Sequence, residues 1–346
     1  MTKNTYILVD SLNTFMRSKH VGSRGLDLDS RLGMSLHIML SSVKSMWDRY
    51  GGTHVVFLME GRSWRKDFYP PYKQNRKTTA AKRTPREIEE DAQFMEAYDS
   101  LMTFLMDKTN TTVLKQGNAE ADDLIAAWIQ YHPNDDHVVV SSDSDFVQLL
   151  APNVRIYNGV TNILYTHHGV YDDRDRLLEF QLANDGKVKV KKPDPDFEVP
   201  ADWIERSLFY KCIRGDTSDN IFSAYPGARQ KGTKNKIGIS EAFDDRAARG
   251  FNYNNFMLQR WTDHEETEHR VRDDYERNRV LIDLTRQPED VREQLRETVL
   301  NAHQAKHVDS VGIKFMKFCG LWDLQRLSQQ ATDFGKILNA SIPEDV

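Results

Sequence analysis

His137–Phe146 reads HVVVSSDSDF. An uninterrupted β-branched run that closes on Asp143 and Asp145 predicts a buried strand with acids just past its carboxyl end. Weaker versions of the same pattern lie on either side. Tyr6–Val9 ends in Asp10, His54–Met59 ends in Glu60, and Thr111–Leu114 and Asn153–Tyr157 supply two further short strands. Helical stripes separate them. Leu32–Tyr50 sets Leu36, Met39, Leu40, Val43 and Trp47 on one face, and Glu87–Asp107 and Asp122–Tyr131 repeat the pattern. Strands alternating with helices predict βαβ units, hence an α/β fold with a central, mainly parallel sheet.

Beyond Tyr157 the pattern changes. Asp185–Pro200 (DGKVKVKKPDPDFEVP) is charged and carries three prolines, which predicts an exposed loop or hairpin. From Trp203 the chain reads as helical over 203–213, 237–248, 253–284 and 313–330. The expected division is therefore an α/β unit over 1–180 and a helical unit over 181–346.

Composition narrows the classes. In 346 residues, 39% apolar and 29% charged, no run approaches the 18 apolar residues of a membrane span. The apolar run after the N-terminus meets Asp10 too early for a secretory signal. Two cysteines, Cys212 and Cys319, exclude a disulfide framework and a Cys-rich zinc site, so a reducing, cytoplasmic setting is expected. The net charge of −5 hides strong segregation: Arg62–Arg86 holds nine basic residues and one acid, Asp67.

The acids fall where the topology gathers them. The carboxyl ends of parallel strands open on one edge, where ligands bind. That edge collects Asp10, Glu60, Asp143 and Asp145, and Glu120, Asp122 and Asp123 open the next helix in EADD. Asp216 and Asp219 follow in GDTSDN. So many carboxylates in one cleft require compensating cations. With no Cys/His set, two Mg²⁺ ions (Mn²⁺ as substitute) are the natural partners, and two such ions suit phosphodiester hydrolysis. Singly, each motif reads as ordinary capping or turn chemistry. Four acidic clusters in register with successive βα units favour the metal site.

Residues 61–86 interleave Trp64, Phe68, Tyr69 and Tyr72 with cations, the composition of a surface that holds a phosphate backbone and stacks on bases. Arg65, Lys66, Tyr72, Lys77, Lys82 and Arg83 are its candidate nucleic-acid contacts. Lys73 and Arg76, three apart and leaving directly from Glu60, are candidate catalytic cations that clamp a scissile phosphate. Lys77–Arg86, poor in apolar residues, is expected to be mobile without substrate.

VDSLN at 9–13, the run from Glu60 to Arg76 with its YKQNR, EADD at 120–123, SSDSDF at 141–146 and GDTSDN at 215–220 resemble, in order and spacing, the 5′-nuclease (flap endonuclease) superfamily. WRKDFYPPYKQNR and YERNRVLID at 275–283 place the T-even phage ribonuclease H / 5′-3′ exonuclease branch nearest. The resemblance implies a PIN-like (5′-nuclease) domain with a basic arch at about 62–90. It also implies a C-terminal helical region with a helix–hairpin–helix-type element for duplex DNA. By position, Asp10, Glu60, Glu120, Asp122 and Asp143 would serve one ion with Asp123 close by. Asp145, Asp216 and Asp219 would serve the other. Lys73 and Arg76 match the cations at the arch base, and Tyr72 a stacking residue.

Three departures accompany it. Glu60 stands where the family usually has Asp. The duplex-binding hairpin is displaced within YPGARQKGTKNKIGISEAF at 225–243, with Arg229, Lys231, Lys234 and Lys236 inserted, which puts the usual potassium site in doubt. The 185–200 segment is longer than the phage pattern. The activity implied is a Mg²⁺-dependent, structure-specific 5′-3′ nuclease with ribonuclease H activity. It would remove RNA primers and 5′ flaps in phage DNA replication, as a monomer in the host cytoplasm.

The expected partners are branched or flapped duplex DNA and RNA/DNA hybrid, with a single-strand binding protein or sliding clamp as further candidates, and no membrane. Two alternatives compete with this reading. A haloacid-dehalogenase-like phosphatase would need its Asp-x-Asp on the first strand, whereas here it follows the fourth. A nucleic-acid-binding module with a decayed site would have lost carboxylates that are all present.

Overall fold

The computed structural model describes residues 3–19, 27–303 and 306–343. The chain opens with β1 (Thr5–Asp10), α1 (Ser11–Ser18), α2 (Leu28–Tyr50) and β2 (His54–Met59). The basic stretch holds α3 (Arg65–Phe68) and α4 (Gln74–Ala80) and leads into α5 (Pro85–Lys108). There follow β3 (Thr112–Lys115), α6 (Ala121–Tyr131), β4 (Asp136–Val140), β5 (Val154–Asn158), β6 (Ile163–Thr166) and β7 (Gly169–Tyr171). These strands form one sheet in the order β3-β2-β1-β4-β5-β6-β7, parallel through β5 and antiparallel beyond. The α/β expectation and all five expected strands stand. Val9 lies beside both Phe57 and Val140, which brings the carboxyl ends of the central strands level.

The period-two alternation of the strands splits the core into two layers. Ile7, Val9, Val55, Phe57, Val138 and Val140 face one side, and Tyr6, Leu8, Val56, Leu58 and Val139 the other. The hairpin of β8 (Leu178–Leu182) and β9 (Val188–Pro193) fills the expected loop-or-hairpin segment. After it come α7 (Trp203–Arg214), α8 (Ile239–Asp244), α9 (Phe251–Leu258), β10 (Arg260–Thr262), β11 (Glu268–Arg270) and α10 (Val271–Ile282). The helices and Trp261 of this stretch pack around a third core containing Phe209, Tyr210, Phe243, Phe256 and Leu281.

Two expectations are corrected here. The helix read over 253–284 is broken by the β10–β11 hairpin, because Asp263 Oδ1 accepts from the amides of Glu265 and Thr267 and closes a turn. A division at 180 also fails to follow the packing. Residues past 289 form α11 (Glu289–Asn301), α12 (Val311–Leu321), α13 (Gln325–Ser328) and α14 (Ala331–Asn339). Val291, Leu295 and Val299 of α11 join the Leu8 layer, while Phe315, Phe318, Phe334 and Leu338 join the Val9 layer. Their apolar stripes cover the sheet, so the helical unit proper is confined to about 203–282.

Within Lys77–Arg86 two helix ends meet, every residue exposed. The helix of α4 runs to Ala80, and Thr84 opens α5 through a reciprocal capping box with Glu87, with Pro85 at the first helical position. No described helix is long and apolar enough to cross a membrane.

Candidate active site and nucleic-acid interface

A cleft of about 400 Å³ opens at the carboxyl ends of β1, β2 and β4, lined by Asp10, Glu60, Asp122, Asp143, Asp145, Asp216 and Asp219. Local structure aims each one. Asp10 ends β1 and leads into α1. Glu60 follows β2 and accepts from the Ala121 amide at 3.2 Å. Asp122 lies in the first turn of α6. Asp143 caps the next turn by accepting from the Asp145 amide at 2.9 Å. Asp216 opens a tight loop closed by paired backbone bonds with Ile221, which presents Asp219.

These seven acids divide into two sets. Lys211 pairs with Asp145 and, at 2.8 Å, with Asp216. Arg76 pairs with Asp219 at 2.8 Å. Burial alone would raise the Asp216 carboxyl, but Lys211 and Ser218 outweigh it and hold it far below the usual range. Among the described residues these cations leave Asp10, Glu60, Asp122 and Asp143 without an ion pair. Burial, reinforced by Glu60, pushes Asp10 up to about 8. Burial and Asp145 push Asp143 up to about 7. Asp122 is raised by burial, then Asp143, Asp10 and Glu60, and Glu60 by burial and Glu120.

An all-oxygen donor set with uncompensated negative charge suits a hard divalent cation. The donor chemistry is that of such an ion, although among the described residues no group of three or more His, Cys, Asp or Glu side chains is arranged to hold one.

A pH prediction arises from these shifts. Asp10 and Asp143 have folded values above their unfolded one, so the stability they contribute is full at low pH and is lost as pH rises through about 7 to 8. His54 and His137, held neutral by burial, act in the opposite sense only below about 6.5. Between pH 6.5 and 8 the metal-free protein is expected to lose about 1–2 kcal/mol, read by urea unfolding in EDTA. A flat profile would mean that the acids are compensated.

Four sequence-derived assignments are corrected. Glu120 does not line the cleft. Its carboxylate accepts from Ser63 Oγ at 2.7 Å, Arg65 at 3.0 Å and the Tyr72 hydroxyl at 2.9 Å, and it pairs with Lys73. Burial would raise it, yet Lys73 and Arg65 hold it at about 2. Asp123 is buried and bound by both terminal nitrogens of Arg65, at 2.8 and 2.9 Å. Arg65, 2% exposed, also donates Nε to the Leu281 carbonyl at 2.7 Å, so it ties α6 to α10 and is not presented to a backbone. Tyr72 is equally enclosed, its hydroxyl donating to Glu120 and, at 3.0 Å, to Asp219. It therefore offers no face for stacking. Burial and Glu120 keep that hydroxyl protonated at any working pH. Tyr72→Phe is expected to cost about 1.5–3 kcal/mol in urea unfolding, the usual loss for a hydrogen bond to a charged group. Unchanged stability would show that the hydroxyl contributes nothing there.

Lys66, Lys77, Lys82 and Arg83 are exposed between β2 and α5, Arg83 pairing with Asp91 at 2.6 Å, and Lys231, Lys234 and Lys236 are exposed in the loop before α8. Lys73 sits at positive φ, 55°, at the start of α4. Its amide donates to the Asp219 carbonyl at 2.8 Å, Asn75 donates to Thr217, and Asn220 donates to Pro71. The segment from Pro71 to Asn75 is thus stitched to the Asp216–Asp219 loop. The sequence reading missed Lys211 and Asn13, the latter accepting from Ser142 Oγ at 2.7 Å. Lys211 had a signal: it interrupts the apolar run of Phe209, Tyr210, Cys212 and Ile213, five residues before Asp216.

Residues 5–175 match the family model of the 5′-3′ exonuclease N-terminal, resolvase-like domain. Among curated proteins, DNA polymerase I of Lactococcus lactis subsp. cremoris is 23% identical over 256 residues, covering 70% of this chain and 24% of that protein. Flap endonuclease Xni of Shewanella loihica is 25% identical over 179 residues, covering 51% of this chain and 62% of that one. The matches thus span about a quarter of the polymerase and under two thirds of the smaller relative. Among solved structures, the 5′-exonuclease of phage T5 with bound zinc superposes with a TM-score of 0.57 at 20% identity, over 86% of this chain and 99% of that one. A complex of the T5 D15 flap endonuclease with DNA and metal ions gives 0.56 at 19%, with the same coverage. At those identities the likeness is one of fold, and it agrees with the PIN-like α/β expectation.

Proposed function

The chain belongs to the 5′-3′ exonuclease family through residues 5–175, and from that premise we propose that it is a structure-specific 5′-3′ exonuclease and flap endonuclease that hydrolyses phosphodiester bonds with Mg²⁺. The observation that carries the proposal is the set of Asp10, Glu60, Asp122 and Asp143, uncompensated within a cleft whose rim holds Lys73 and Arg76. Asp10, Glu60, Asp122 and Asp143 would hold one ion, and Asp145, Asp216 and Asp219 a second. When bound, two such ions stabilise the attacking and leaving oxygens of an in-line displacement.

The chain's own residues do the rest. Lys73 and Arg76 hold the scissile phosphate and stabilise the charge that grows on it. Lys211 keeps Asp216 ionised and, through its ion pairs, holds Asp145 and Asp216 in place. The exposed cations Lys66, Lys77, Lys82, Lys231, Lys234 and Lys236 hold backbone, so little sequence preference is expected. The substrates proposed are flapped duplex DNA and RNA/DNA hybrid, in the removal of RNA primers and 5′ flaps during phage replication.

The test is cleavage of a 5′-labelled flap duplex with Mg²⁺, beside EDTA. Metal-dependent products near the flap junction support the reading, and DNA binding without cleavage at any Mg²⁺ or Mn²⁺ concentration overturns it. A second readout is thermal. Mg²⁺ is expected to raise the melting temperature and EDTA to reverse the rise, because only the folded cleft gathers the ligands.

A further inference from the structure

The β8–β9 hairpin has no part in the function proposed above, yet it is strongly basic. Lys187, Val188, Lys189, Val190 and Lys191 alternate along it. The period of two turns Val188 and Val190 toward the Leu8 core layer and leaves Lys189 and Lys191 exposed. The tip is seated on α7. Gly186, at φ 83°, lies so close that a Cβ there would collide with the Ser207 carbonyl and press on the Lys211 amide. Ser207 Oγ also donates to the Gly186 carbonyl at 2.7 Å. The helix that places Lys211 between Asp145 and Asp216 therefore also fixes the hairpin tip.

That seating brings Lys187 to the wall of the carboxylate cleft, which Asp145, Asp216 and Asp219 also line. Of the other cations near these acids, Lys73 pairs with Glu120, Arg76 with Asp219 and Lys211 with Asp145 and Asp216, while Arg17 of α1 also lines the cleft. Lys187 comes no nearer than 3.9 Å to its neighbour Asp185, with its side chain 46% exposed. One step along the same face, Lys189 lines a second depression of about 550 Å³ with Gln181, Arg206 and Gln230. Gln230 lies within the loop that carries Arg229, Lys231, Lys234 and Lys236. The hairpin's cations thus run from the cleft toward the basic loop of the helical unit.

We propose that β8–β9 is a nucleic-acid-binding ribbon, Lys187 taking a backbone phosphate of the strand held in the carboxylate cleft and Lys189 carrying that backbone toward the 229–236 loop. The proposal rests on the nuclease reading for its ligand, a phosphodiester chain. A lysine that only screened the acids would bind no phosphate, and its removal would tighten metal binding.

The experiment uses the full chain and a fluorescent 5′-flap duplex, with binding followed by anisotropy in EDTA across a salt titration. Removing one lysine–phosphate pair lowers the slope of log K against log salt by about 0.7 to 0.9. The Lys187→Ala, Lys189→Ala double variant is expected to bind about tenfold more weakly, with a slope shallower by about 1.5, and Lys187→Arg to bind as wild type. In Mg²⁺ the double variant's KM rises about tenfold while kcat moves less than about twofold. Lys317→Ala on the distant α12 is the control and is expected to change neither constant. Wild-type cleavage together with unaltered affinity and slope in the double variant overturns the ribbon and leaves the nuclease reading intact. So does tighter Mg²⁺ binding by Lys187→Ala with unchanged DNA affinity. Loss of DNA affinity in the double variant of a protein that never cleaves overturns the nuclease reading and keeps the ribbon.

Discussion

Asp143→Asn is expected to lower Mg²⁺-dependent flap cleavage by about a thousandfold or more while leaving duplex binding close to wild type. The amide oxygen of Asn can still accept from the residue 145 amide, so the turn that Asp143 caps at 2.9 Å survives. What disappears is one of the four charges in the uncompensated set. Several kcal/mol of transition-state stabilisation by metal correspond to about three decades in rate. The same substitution removes like-charge repulsion, so the metal-free variant is expected to melt higher than wild type and to gain less from Mg²⁺. Three readouts therefore move in different directions: activity falls, apo stability rises and the metal response shrinks. Retained cleavage would remove Asp143 from the site. A fall in apo stability would show that its charge is already compensated.

Arg65→Ala is expected to be the most destabilising single change near the cleft, at about 3–5 kcal/mol in urea unfolding. The guanidinium is buried and binds Asp123 through both terminal nitrogens, Glu120 at 3.0 Å and the Leu281 carbonyl at 2.7 Å. Its loss leaves two buried acids short of a cation, which costs more than the pair contributed. Arg65→Lys should recover only part, since an ammonium cannot reproduce the bidentate fork. Arg76 provides the contrast. Its side chain is 61% exposed, so Arg76→Ala should cost under about 1 kcal/mol of stability while depressing cleavage. If Arg65→Ala were as mild as Arg76→Ala, the buried network would have another source of charge.

What was legible in the sequence is what local pattern governs. HVVVSSDSDF announces its strand and its acids because a β-branched run has few alternatives, and parallel topology then gathers Asp10, Glu60, Asp143 and Asp145 with no tertiary distance known. The misread residues are those whose fate is decided by partners far along the chain. Arg65 stands in a basic run and reads as solvated. It is buried only because EADD, some 55 residues on, and Leu281, 216 residues on, close over it. Tyr72 reads as a stacking platform until Glu120 and Asp219 claim its hydroxyl. The break at 259 was hidden because Trp261 fills an apolar slot of the helical period and so carries the pattern across a turn. By contrast α11 was readable and overlooked: Pro288 precedes Val291, Leu295 and Val299, spaced four apart.

The return of α12 and α14 to the sheet bears on the order in which this protein is completed during synthesis. Val9 and Phe57 are made early, yet their layer of the core is finished by Phe315, Phe318, Phe334 and Leu338. Between those times the ribosome must deliver the whole helical unit, including the loop of Asp216 and Asp219. The sheet that aims the first carboxylates thus reaches its final packing only after the second set exists. A nascent chain released before residue 311 has that layer covered by α2 and α5 but lacks Phe315, Phe318 and Phe334, so part of it stays open to chaperones and proteases.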